Sequence, residues 1–293
     1  MKAKKTLSIL SLAVIGALYG ISSASAIPIL GSAQNFAVLG HETVTNGHSA
    51  PNETTKVFGD LGVAPGTSVT GFYPDGIVSG GTIHINDAVA QLALADATTA
   101  YNFLAGSPTS FNYTGIVLGS TGYNILTPGT YHFDTSAQLT GMLTLDFQSN
   151  PDAEFIFQIG STLTTASESS ISIINGNSLS SVYWQVGSSA TLGSDTAFAG
   201  NILAQASVGL DPRAEIICGR AFALTGSVTL NDNLITNNCN AENFGTGTGD
   251  FDSIGFSGGT VNPVPVPAPL ILMVIGAAEL LRRHNRHYLL LKH

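Results

Sequence analysis

Charge is scarce in this chain. Only 10% of its 293 residues are Asp, Glu, Lys or Arg. Basic residues are rarest in the body. Between residues 27 and 262 there are Lys56, Arg213 and Arg220 against eighteen acidic side chains, a formal charge of −15. That excludes a nucleic-acid role, because neutralising phosphates takes clustered Lys and Arg. Cysteine is limited to Cys218 and Cys239, too few for a structural zinc site. His41, His48, His84 and His132 show no ligand spacing. No Ser sits in a nucleophile elbow, and Gly80-Gly81 and Gly258-Gly259 lack phosphate-loop context. Asp211, Arg213 and Glu215 could form a small constellation, and Asp250 and Asp252 fall in a Gly-rich stretch. Surface charge accounts for these residues. We therefore expect no catalytic residue and no metal. The lone Trp184 sits in an alternating apolar run, which points to core rather than to a sugar-stacking platform.

What is abundant is small and β-branched residues, with 33 glycines, a composition that favours β architecture. Short apolar stretches recur between Gly/Ser/Asn corners: Glu154–Gly160, Val182–Gly187, Gly200–Ala204 and Gly219–Leu224. Leu192, Leu210 and Leu230 give a period of about 20 residues, the signature of a β-solenoid. One coil cannot bury its apolar side alone, so coils must stack. Residues 30–80 read as short strands and turns, with turns at Pro65-Gly66 and Pro74-Asp75-Gly76. Residues 86–105 differ. They lack Gly and Pro, and Val89, Leu92, Leu94, Ala97, Ala100, Tyr101, Phe103 and Leu104 form an apolar stripe near helical period. Asn86 is the expected cap and Gly106-Ser107-Pro108 the stop. One long helix packed along a sheet follows. Residues 107–127 are expected to form a loop or cap, with the solenoid resuming at Gly129 and running to about Ile235.

The ends carry addresses. Lys2, Lys4 and Lys5 precede a mostly apolar stretch and Ala24-Ser25-Ala26, so residues 1–26 read as a signal peptide. Residues 241–262 read as a flexible linker. In residues 263–293, alternating prolines precede the apolar run Leu270–Leu281 and then Arg282, Arg283 and Arg286. The run is shorter than the ~20 residues of a comfortable bilayer span. Its layout resembles the PEP-CTERM sorting signal, which implies an exosortase partner and delivery to the surface of a Gram-negative cell. An ordinary C-terminal membrane anchor is the alternative. In an oxidising compartment Cys218 and Cys239, about one coil apart, are candidates for a disulfide.

The body, residues 27–240, resembles the microbial ice-binding protein family over roughly residues 29–236. The resemblance rests on Leu30–Leu39, Gly59–Val63, the single helix, Leu126–Tyr131, Phe155–Ile159, Tyr183–Val186, Gly219–Leu224 and Val228–Leu230. It implies a mainly β fold: a discontinuous right-handed β-helix of triangular section with the helix alongside. N-terminal strands would complete coils begun by C-terminal ones. It also implies adsorption to an ice surface and its ordered water through one flat β-face, with no cofactor, inhibiting ice growth or recrystallisation; a monomer is expected. Carrying over the family's Thr-rich steps picks out Thr67, Ser68 and Thr70; Thr165 and Ser167; and Ser194 and Thr196. The next corner, Asp211-Pro212-Arg213-Ala214-Glu215, is expected to interrupt a flat array if it lies on that face. The alternative is a surface or biofilm-matrix protein using the same scaffold for adhesion, without ice affinity.

Overall fold

The computed structural model describes residues 29–47, 54–73, 76–150, 153–176 and 180–238. The expected signal peptide, linker, C-terminal segment, Cys239, His48, Asp250, Asp252 and the Pro74-Asp75 part of one turn lie outside these residues.

A 3-10 turn (Gly31–Asn35) leads into β1 (Phe36–Gly40), β2 (Thr43–Gly47), β3 (Thr55–Phe58), β4 (Asp60–Val63), β5 (Ser68–Thr70), β6 (Gly76–Ser79) and β7 (Ile83–Ile85). The helix α1 (Ala88–Ala105) follows. Then come β8 (Phe111–Asn112), β9 (Val117–Leu118), β10 (Ile125–Leu126), β11 (Gly129–Phe133), β12 (Ala137–Leu139), β13 (Met142–Asp146), β14 (Glu154–Ile159) and β15 (Leu163–Thr165). The remainder are β16 (Ser170–Ile174), β17 (Ser181–Val186), β18 (Ala190–Leu192), β19 (Ala197–Ala204), β20 (Val208–Leu210), β21 (Glu215–Ala223), β22 (Val228–Asn231) and β23 (Leu234–Thr236). Residues 107–127, expected to be a loop, thus contain three very short strands that begin the solenoid.

All pairings between these strands are parallel, and they sort into three faces. The first runs β7-β4-β1-β21-β19-β17-β14-β11-β8. The second runs β5-β2-β22-β20-β18-β15-β12-β9. The third runs β6-β3-β23-β21-β19-β16-β13-β10. Strands β19 and β21 serve two faces because each bends midway, with a register shift between Ala199 and Gly200. At that bend Gly200 has φ +101°, and a Cβ there would lie 2.7 Å from Val182 Cγ1, so only glycine fits. The solenoid is discontinuous in sequence. The last coil, β21-β22-β23, is covered by β1, β2 and β3 through parallel ladders. The helix then carries the chain back along the first face to start at the far end.

The faces differ in burial, and the sequence pattern follows. First-face strands such as β17 are buried throughout, because core lies on one side and helix on the other; they read as continuous apolar runs. Second-face strands such as β12, β15 and β18 alternate buried, exposed, buried, so only their middle side chain meets solvent.

Inside, aromatic side chains stack along the first face. Trp184 lies on Phe157 with centroids 3.8 Å apart and 6° between planes, and its Nε1 donates to Ala199 O at 3.1 Å. Tyr131 stacks on Phe157 at 5.3 Å and donates its hydroxyl to Thr127 O. Burial pushes the Tyr131 hydroxyl up to about 12, against an unfolded value near 10. Its contribution to stability is therefore complete below about pH 10 and lost as pH rises through about 12. The gap in melting temperature between wild type and Tyr131→Phe is expected to close across that window. A gap that stays constant to pH 12 would contradict this.

The helix differs from expectation in two ways. Its cap is Asp87, not Asn86: the Asp87 carboxylate accepts from Ala90 N at 2.8 Å and lies 2.8 Å from His84 Nδ1. Asn86 instead adopts φ 47° in the preceding turn. The buried stripe is Ala90, Ala93, Ala97, Ala100 and Leu104, while Val89, Leu92 and Phe103 are exposed. Alanines bring the helix axis close to the sheet, where Phe36, Leu39, Ile156, Tyr183, Leu203 and Phe222 fill the interface. Cys218 is disulfide-bonded.

Candidate functional site

The second face is built from short strands of two to five residues, in which outer and inner residues alternate. Parallel register aligns the exposed middle residues in one rank: Val117, Gln138, Thr164, Thr191, Gly209, Thr229, Thr45 and Thr70. Neighbours in such a rank stand about 4.8 Å apart. Two residues upstream of each but Val117, the same alternation brings out Ser136, Thr162, Ser189, Ser207, Ser227, Thr43 and Ser68, all at least partly exposed. This second rank lies about 6.7 Å from the first, two residues along a strand. Neither rank contains a charged residue. Beneath them Leu163, Ala190, Val208, Val228 and Val44 are fully buried or nearly so and anchor each short strand in the core.

The two ranks have different hydrogen-bonding states. The upstream rank is cross-linked along the axis. Thr162 Oγ1 donates to Ser136 Oγ at 2.8 Å. Ser189 Oγ accepts from Ser207 N at 3.3 Å, and Ser207 Oγ from Ser227 N at 3.2 Å. Thr43 Oγ1 donates to Ser227 Oγ at 2.9 Å. In the other rank Thr70 Oγ1 donates to Thr45 Oγ1 at 3.5 Å, while Thr164, Thr191 and Thr229 make no side-chain hydrogen bond among the described residues. Their hydroxyls are available to water, on side chains whose β-branching leaves few rotamers.

The structure divides the residues picked out from sequence. Ser68 and Thr70 stand in the two ranks on β5, and Thr67 is exposed just before them. Ser167 and Ser194 lie at the corner between the second and third faces. Thr165 and Thr196 are a correction. Thr165 is only 8% exposed and Thr196 not at all. Thr165 Oγ1 lies 2.8 Å from Thr196 Oγ1 and accepts from Gly193 N at 2.9 Å. They tie one corner to the next inside the coil and cannot touch a surface. The alternation explains it: Thr165 is one residue after Thr164, so its side chain points inward.

Asp211–Glu215 does not cross the ranks. It forms the corner after β20, where Arg213 takes φ 62°, as Glu168, Asp195 and Asp232 do at equivalent corners, with φ 60°, 59° and 54°. Arg213 forks onto Asp195 one coil away, with Nε–Oδ1 2.7 Å and Nη2–Oδ2 2.9 Å. That guanidinium holds the Asp195 carboxyl below its ordinary range. Glu215 belongs to β21 on the third face, in register with Ala197 and Leu234, and partial burial pushes its carboxyl up. The third face mixes Met142, Ser170, Ala197, Glu215, Leu234, Lys56 and Ile77 along one rank and has no repeated chemistry.

Thr45, Thr164, Thr191 and Thr229 were not singled out from sequence. Their signal is a triplet of Ser or Thr, an apolar residue, then Thr: Thr43-Val44-Thr45, Thr162-Leu163-Thr164, Ser189-Ala190-Thr191 and Ser227-Val228-Thr229.

Comparison with known proteins agrees with this architecture. Residues 38–236 match the Ice-binding-like family, and the chain belongs to it. An ice-binding protein of Nostoc sp. (strain HG1) is 48% identical over 236 residues, spanning 80% of this chain and 84% of that one. The crystal structure of an ice-binding protein from an Antarctic biological consortium superposes with TM-score 0.64 at 42% identity, covering 71% of this chain and 90% of that one. The ice-binding protein of Antarctomyces psychrotrophicus superposes with TM-score 0.61 at 34% identity, over 71% and 96% of the two chains.

Proposed function

We propose that this protein binds ice through its second face and thereby restrains ice growth or recrystallisation. The observation that carries the reading is the pair of in-register Ser/Thr ranks, free of charge, on an eight-stranded parallel sheet. A lattice of rigid side chains can hold a layer of water in a regular arrangement. Methyl groups shape the layer, hydroxyls bond to it, and such ordered bridges are nearly as good as direct hydrogen bonds. Stiff threonines on a stacked backbone lose little rotamer entropy on docking. The names of the relatives support the same reading.

Export fits this role. Residues 1–26 act as a signal peptide, 27–240 form the ice-binding domain, and 241–262 link it to residues 263–293. The last segment serves as a sorting signal read by an exosortase or as an anchor, placing the domain at the cell surface or outside the cell. Cys218 pairs with Cys239.

Slow freezing of a solution of residues 27–240 tests the binding. The domain is expected to be enriched in the growing ice beside an inert control protein. Exclusion from the ice to the control's level would overturn the reading and leave a matrix or adhesive role.

A further inference from the structure

We propose that Gly209 limits the ice affinity of this chain by breaking the outer threonine rank in two. The inference rests on the reading that the second face meets ice. Register places Gly209 beside Thr191 on one side and Thr229 on the other. The uninterrupted runs are therefore Thr164-Thr191 and Thr229-Thr45-Thr70. Across the gap, Thr191 and Thr229 stand about 9.6 Å apart, two strand spacings. Water over Gly209 meets backbone, with neither methyl nor hydroxyl to hold it, so the ordered layer must restart on the far side. Repeats held rigidly in line reinforce one another, because each further contact forms at high effective concentration. Joining the runs makes six consecutive threonines and adds more than one residue's worth of contact.

The backbone does not require glycine here. Gly209 φ lies outside the left-handed region, and a Cβ built on it meets nothing within 4 Å. Nearby glycines contrast with it: a Cβ on Gly193 would lie 2.7 Å from Thr165 O, and one on Gly226 2.3 Å from Ser207 Oγ. Glycine also weakens a strand interior, where a β-branched residue is favoured. The position can accept threonine, and its neighbours Ser207 and Val208 keep the pattern of the other triplets.

The test compares freezing hysteresis of single ice crystals in wild type, Gly209→Thr, Gly209→Ser and Ser172→Thr at equal concentration, with melting temperatures measured in parallel. Ser172 lies on the third face. Gly209→Thr is expected to raise hysteresis about two-fold or more, Gly209→Ser by less, and Ser172→Thr not at all. Activity appearing only in Gly209→Thr would also uphold the inference. Wild-type activity with no gain in either folded Gly209 variant would overturn it and leave the face assignment standing. Folded but inactive wild type and variants would overturn both. If Gly209→Thr fails to fold, Gly209→Ser decides: a gain supports the inference and equality sinks it.

Discussion

Replacing Thr229 with lysine is expected to abolish most of the ice-binding activity while changing stability by no more than about 0.5 kcal/mol, as for other exposed substitutions. Thr229 sits mid-rank, between Gly209 and Thr45, and makes no side-chain bond whose loss would matter to the fold. Lysine places a strongly hydrated ammonium on a flexible four-carbon stem there. The stem holds the flat face away from a flat partner, and the charge imposes its own hydration on the water layer. Lys56 shows that the scaffold tolerates lysine on the third face. Hysteresis and circular-dichroism melting on the same sample separate the outcomes. Unchanged hysteresis in a folded Thr229→Lys protein would remove this rank from the site.

Arg220→Leu is expected to destabilise the domain by about 3 kcal/mol or more, because it strands buried polar partners. The Arg220 guanidinium is fully buried. Its Nη1 donates to Asn201 Oδ1 at 2.7 Å and its Nε to Gln34 O at 3.1 Å. Burial drives its pKa down to about 9. Gln34 lies in the turn before β1, and Arg220 in the coil that β1 covers. The contact clamps the turn before β1 onto the last coil, at the seam of the discontinuous solenoid. Arg220→Lys keeps a charge but loses the fork and is expected to recover only part of the loss. Urea denaturation measures both; a leucine variant within about 1 kcal/mol of wild type, a small effect for a buried polar network, would contradict the clamp.

The solenoid was legible in the sequence because stacked coils repeat their core residues, as Leu192, Leu210 and Leu230 do. The helix was legible between its stop signals, and its buried side in part: Ala97, Ala100 and Leu104 of the expected stripe are buried. Val89, Leu92 and Phe103 look like core by hydrophobicity, and alanines win because they allow close approach to the sheet. The candidate site was half visible. The Ser/Thr-rich corners stood out, yet a shift of one residue along a strand reverses which side chain is outside. Thr164 and Thr165 are adjacent in sequence and opposite in fate. Only the register, fixed by the inward Leu163, Ala190, Val208 and Val228, separates the surface rank from the internal ladder. The Asp211–Glu215 corner read as a break because its side chains were charged. The left-handed turn at Arg213 puts Glu215 on the third face and Arg213 onto Asp195, while Asp211 stays exposed at the end of β20.

Fluorescence imaging of single ice crystals grown in labelled protein tests the central claim most directly. The account predicts faceted crystals with bright surfaces for wild type, and dim, rounded crystals for folded Thr229→Lys. Rounded crystals that exclude folded wild-type protein would contradict it.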